Sequence, residues 1–252
     1  MKKKVSPDGF KYRGINGSRF ETLTDIIFGF SITLLVISSE VPKTYVELQA
    51  SMYGFLGFII CALLLFSVWN DHKTFFLRYG LEDKKTNLLN FLLVFVLLYY
   101  IYPMKYLFSH LGTAIFVNIK SRFGDHSEGL QLAVDKLNQA NLEAEQWSDI
   151  MLRFGIGLLA IYLIFLLLYI NAKRKKAELH LSAVEVYKTQ TCIEEYIILA
   201  SITLLSILVV LVMEDNAFAY SSLTYLLIPI SLFTHHRYKS KRFKKIQSRT
   251  NL

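Results

Sequence analysis

Six apolar runs are spread along the 252-residue chain, and they restrict its fold more than any motif does. They occupy residues 20–39, 48–69, 88–107, 151–170, 196–213 and 217–233. Each is 17 to 22 residues long, the length a helix needs to cross a hydrocarbon layer of roughly 30 Å at about 1.5 Å per residue. Lipid tolerates only helices or closed barrels, and barrel strands alternate over about 10 residues instead of running apolar throughout. The expected fold is therefore an all-α polytopic membrane protein with six transmembrane helices. The first run carries Arg19, Glu21 and Asp25 at its start and lacks a small-residue cleavage site, so it is expected to stay as a span and not to be removed as a signal peptide.

The chain is 53% apolar and only 19% charged, yet its formal net charge is +8. A soluble domain usually carries about 25% charged residues. Excess base suits a nucleic-acid binder or a membrane protein with basic loops, and the unbroken apolar runs favour the second, with no nucleic-acid partner. The placement of base agrees. With both termini cytoplasmic, segments 1–19, 70–87, 171–195 and 234–252 lie inside and hold 22 of the 28 lysines and arginines, as the positive-inside rule requires. The basic runs Lys173–Lys176 and Lys239–Lys245 then act as topology determinants. Residues 234–252 form a basic cytoplasmic tail, and residues 108–150 an extracytoplasmic insertion. That insertion is expected to be partly helical, because Leu130, Val134 and Leu137 recur at helical spacing after a turn at Gly124–Gly129.

Enzyme chemistry finds no support. Cys61 and Cys192 form no CxxC pair, the six histidines show no zinc spacing, and neither a P-loop nor a dinucleotide-binding glycine pattern is present. No catalytic residue, metal site or cofactor is expected.

The informative charges are those of the first run. Asp25 sits about 9 Å deeper along a helix than Arg19, and the two are about 240° apart around its axis, so they do not pair directly. A carboxylate at that depth needs a partner. Trp69, Asn70 and His72, at the end of the second run, offer N–H donors. The competing reading is a shallow charge that snorkels to the interface.

The segment Arg19-Phe20-Glu21-Thr22-Leu23-Thr24-Asp25-Ile26-Ile27-Phe28-Gly29 resembles the signature of the transmembrane protein 175 family of potassium channels. Arg19, Asp25 and Phe28 match it outright, while Leu23, Thr24 and Gly29 stand where the family has Phe, Ser and Ala. Trp69-Asn70-Asp71-His72 fits the family's W-x-x-H at the end of the second span. The resemblance covers roughly residues 15–107 well and the remainder by span count. It implies a homotetramer around a central pore in a bacterial plasma membrane, potassium as the permeant ion, and first helices that line the pore with an apolar constriction. The constriction position follows the signature alanine, which places it at Phe30, where the family usually has Ile or Leu. Helical spacing then adds Thr33, Ile37 and Ile26 to the same face. Arg19, Thr24, Asp25, Phe28, Trp69 and His72 make up the structural signature cluster.

Four copies of Phe30 about one axis would form a narrow apolar ring of the kind that gates by dewetting, with Thr33 hydroxyls one turn outward to hold a partly hydrated cation. The alternative for this stripe is contact with lipid or a neighbouring helix. Two other functional readings stay open at this point: a secondary transporter built from inverted three-span halves, for which Pro103 and Pro229 hold loosely corresponding places, and a proton leak channel.

Overall fold

The computed structural model describes residues 5–6, 9–37, 41–140, 143–213 and 217–250; side chains at 37, 144, 217–219 and 244–250 lie outside the description. The described residues are helical apart from turns and one isolated antiparallel bridge between Val5 and Lys11. The helices are α1 (Arg19–Ile37), α2 (Tyr45–Tyr53), α3 (Phe55–Tyr79), α4 (Lys84–Arg122), α5 (Glu128–Ala140), α6 (Ala144–Arg174), α7 (Ala183–Val212), α8 (Ala217–Tyr225) and α9 (Leu227–Thr250). Among the described residues, α3, α4, α6 and α7 are long and apolar enough to cross a membrane.

Helix boundaries depart from the apolar runs, and in the second, third and last runs the physical reason is plain. The second run is split at Gly54, which separates α2, capped by Thr44 Oγ1 on the Glu47 N–H, from α3. Helix α3 then continues past the WxxH segment to Tyr79, because Phe75, Phe76 and Tyr79 bury their rings in the core; it stops at Gly80, whose φ of 57° suits glycine. The third run continues as α4 through Pro103 to Arg122, so much of segment 108–150 is helical. Its distal end carries Phe116 and Val117 against a small second core of Ala50, Tyr53, Leu130 and Ala133 from α2 and α5. In the last run, Pro229 cannot donate to the carbonyl of Tyr225 and its ring crowds that group, and the break between α8 and α9 falls there. Helix α9 carries on into the basic tail.

The main core lies where α3, α4, α6 and α7 meet. Phe75, Tyr79, Phe165, Tyr169 and Tyr196 form a connected ring cluster, with Phe165 stacked on Tyr196 at 5.2 Å and Phe75 edge-on to Tyr169 at 5.2 Å. Helices α3 and α4 approach closely at Gly57 and Gly112. A Cβ on Gly57 would stand 2.1 Å from the Phe108 carbonyl oxygen, and one on Gly112 would stand 2.5 Å from the Gly57 nitrogen. Small residues at such a crossing let two backbones touch. Gly57→Ala must therefore push the helices apart. The expected cost is about 2 kcal/mol, read as a lower melting temperature of the detergent-solubilised protein.

Residues 9–18 form a strap that leads into α1. Phe10 is fully buried, edge-on to Tyr79 at 5.4 Å, and the guanidinium of Arg78 lies 5.1 Å from its ring. Arg13 clamps the strap to the body: it pairs bidentately with Glu185 at 2.9 and 3.0 Å and donates through Nε to the Leu179 carbonyl at 2.8 Å. Glu185 also accepts the N–H groups of Lys11 and Ser182. Burial works against the Glu185 carboxylate, but Arg13 and these N–H donors outweigh it and hold its pKa at about 2, below the ordinary 4.5. A depressed carboxylate pKa means stability that is present above the unfolded value and is lost as pH falls through the folded one. Acidifying from pH 4.5 toward 2 is therefore expected to lower the wild-type melting temperature more steeply than that of Glu185→Gln. At neutral pH the variant is expected to be about 2 kcal/mol less stable.

Candidate pore helix and its polar anchor

Helix α1 packs against α4 and α3 and has two different faces. Thr24, Phe28, Ser31 and Leu35 are buried, and their spacing of four, three and four residues is one stripe of a 3.6-residue helix. On the other side Ile26 is 64% exposed and Phe30 53% exposed, with Gly29, Thr33 and Val36 also open. Ile37 ends the helix, and its side chain lies outside the description. The Thr33 hydroxyl donates to the Phe30 carbonyl at 2.7 Å, so that its oxygen keeps only an acceptor role toward other groups.

The buried stripe is held by a chain of polar side chains crossing three helices. Thr24 Oγ1 donates to the Phe20 carbonyl at 3.0 Å and accepts from Asn90 Nδ2 at 2.9 Å. Asn90 Oδ1 in turn lies 2.9 Å from His72 Nε2. Because the Asn90 amide nitrogen is used on Thr24, its oxygen must accept, so His72 carries its proton on Nε2. Thr24, Asn90 and His72 are all sealed from solvent. Phe28 covers the imidazole at 5.7 Å between centroids, and Phe76 covers it at 4.6 Å.

Asp25 takes a different partner. Trp69 Nε1 donates to its Oδ1 at 2.9 Å on the exposed side of the α1–α3 contact, and Lys73 Nζ lies 4.9 Å from the indole centroid. Of the three donors expected for Asp25, the structure brings only Trp69 to it; His72 is engaged by Asn90, and Asn70 is exposed. Arg19 is exposed at the start of α1 with no side-chain partner among the described residues. At the far end of α1, Lys105 Nζ donates to the Leu35 carbonyl at 2.8 Å, a cation on a helix C-terminus. Sequence reasoning missed Asn90 and Lys105 as anchors of α1. Their signal was present, since each is a polar side chain inside the third apolar run, where it must find a protein partner.

The family described as "Endosomal/lysosomal potassium channel TMEM175" matches residues 19–100, the stretch that holds α1, α3 and the first half of α4. A protein named "Potassium channel" from Marivirga tractuosa is 36% identical over 247 residues, covering 94% of this chain and 93% of that one. The chain belongs to the TMEM175 family. A crystal structure of a variant of the potassium channel MtTMEM175, in complex with a nanobody–MBP fusion protein, matches with a TM-score of 0.75 at 34% identity. That match covers 94% of this chain and 99% of the solved one. TMEM175 membership thus extends over nearly the whole chain, beyond the first-helix signature that suggested it.

Proposed function

We propose that this TMEM175 chain is the subunit of a potassium-conducting membrane channel, and that the exposed residues Ile26, Phe30 and Thr33 of α1, continued in sequence by Ile37, line its path. The observation that carries the reading is the two-faced α1. Its signature residues Thr24 and Phe28 are 1% and 3% exposed against the body, while Ile26 and Phe30 on the opposite face are 64% and 53% exposed. A helix fixed so firmly on one side and open on the other suits a position beside a shared axis. Four such subunits give a narrow ring of Phe30 side chains that excludes water, with Thr33 hydroxyls one turn outward. The relatives named above are potassium channels, which supports potassium as the permeant ion.

In this reading the subunit spans the membrane six times, with α1 and the α8–α9 pair joining the four long apolar helices, and with both ends in the cytoplasm of a bacterial cell. The basic residues of the strap, of the α6–α7 connection and of α9 then lie on the inner side. No enzymatic activity is assigned. The test is a reversal potential in purified, reconstituted protein under opposed potassium and sodium gradients. A value near the potassium equilibrium potential supports the reading. A current that follows only the proton gradient, or flux that requires a coupled solute, overturns it.

A further inference from the structure

A cavity of about 990 Å³ lies beside the C-terminal end of α1. Its wall is apolar on one side, with Leu35 and Val36 from α1, Met52 from α2, and Phe55 and Phe58 from α3. Three lysines line it from three directions: Lys43 ahead of α2, Lys105 on α4 and Lys136 on α5. Glu47 is the acid in its described lining, and that carboxylate accepts the Lys43 backbone N–H at 2.7 Å. A smaller chamber of about 210 Å³ shares Ser51, Gly54, Ser109 and Lys136 with it and adds His110 and Thr113. His110 Nε2 is buried there with no hydrogen-bond partner among the described residues.

We propose that this cavity binds an anionic phospholipid. The phosphate lies among Lys43, Lys105 and Lys136, where the ammonium groups and the Ser109 hydroxyl supply donors, the Ser51 hydroxyl being spent on the Glu47 carbonyl. An acyl chain follows Met52, Phe55 and Phe58. The fit is to a molecule with a compact negative head and an apolar body, since the cavity joins three cations to an aromatic wall. With the topology proposed above, this is the outer boundary of the membrane; the binding chemistry itself does not depend on that topology. Lys105 also donates to Leu35 at the end of α1, so a bound phosphate stands next to the contact that holds the candidate pore helix.

Native mass spectrometry of the full chain, titrated with phosphatidylglycerol or with phosphatidylcholine, tests the proposal. Lys43 and Lys136 are exposed and hold no described fold contact through their side chains, so Lys43→Gln/Lys136→Gln should fold normally. The expected result is selective retention of phosphatidylglycerol by the wild type, with about tenfold weaker retention in the double variant and no change for phosphatidylcholine. Lys84→Gln/Lys85→Gln removes the same charge at the start of α4, far from the cavity in sequence, and is expected to leave retention unchanged. Equal retention of the two lipids by the wild type overturns the proposal. So does wild-type retention in the Lys43/Lys136 variant, or an equal loss in the Lys84/Lys85 control.

Discussion

Phe30→Ala is expected to raise potassium flux through reconstituted protein at least tenfold while leaving its assembly and melting temperature close to wild type. The stability half of this expectation comes from exposure: the Phe30 ring is 53% exposed on the subunit and belongs to neither core among the described residues, so truncation leaves no cavity in them. The flux half comes from the physics of narrow apolar necks. Four phenylalanine rings around an axis hold water out, and four methyl groups widen the neck enough for water and a partly hydrated cation to enter. Phe28→Ala, two residues earlier on the buried face, should do the opposite. It strips the cover from His72 and leaves a void in the core, so thermal stability falls by about 3 kcal/mol without a gain in flux. Potassium efflux from vesicles and a melting curve on the same preparations separate the two behaviours.

The largest stability loss from a single polar substitution is expected at Asn90. Asn90→Leu removes the amide that both accepts from His72 Nε2 and donates to Thr24 Oγ1. Two buried polar groups then lose a partner where no water replaces it, at about 1–3 kcal/mol each. The anchor between α1, α3 and α4 loosens, so the yield of assembled protein should fall along with the melting temperature. Asn87→Leu, one turn earlier on the same helix, is half-buried and loses only a solvent-exposed bond to the Glu82 carbonyl, so it should change stability by no more than about 0.5 kcal/mol. Equal effects of the two substitutions would show that the Thr24–Asn90–His72 chain does not hold the helices.

Much of this arrangement is legible in the sequence because lipid imposes a simple rule on backbone and charge. The apolar runs locate the helices, and the cost of a charge near the bilayer picks out Asp25 as a group that needs a donor; Trp69 supplies it at 2.9 Å. Partner choice was less legible. His72 and Trp69 are three residues apart on α3, both carry N–H groups, and spacing alone does not say which turns toward Asp25 and which toward α4. Asn90 decides the matter, and its role depends on how α4 crosses α1, a tertiary fact with no local signature. Helix ends were also hidden. The α3 extension to Tyr79 and the α4 extension to Arg122 are stabilised by rings packing on distant elements, Tyr79 on Phe10 of the strap and Tyr53 on Phe116. The Arg13–Glu185 clamp joins residues 172 positions apart, and no periodicity reports such a pair.

In the proposed channel the exposed face of α1, and not its buried face, borders the ion path. Single cysteines at positions 26, 28, 30, 31 and 33, introduced one at a time with Cys61 and Cys192 replaced by alanine, test it directly through block of potassium current by a charged, water-soluble thiol reagent. Block is expected at Ile26→Cys, Phe30→Cys and Thr33→Cys, with Phe28→Cys and Ser31→Cys unaffected. Block confined to the buried positions, or no block at Ile26→Cys, Phe30→Cys and Thr33→Cys in a conducting protein, would contradict it.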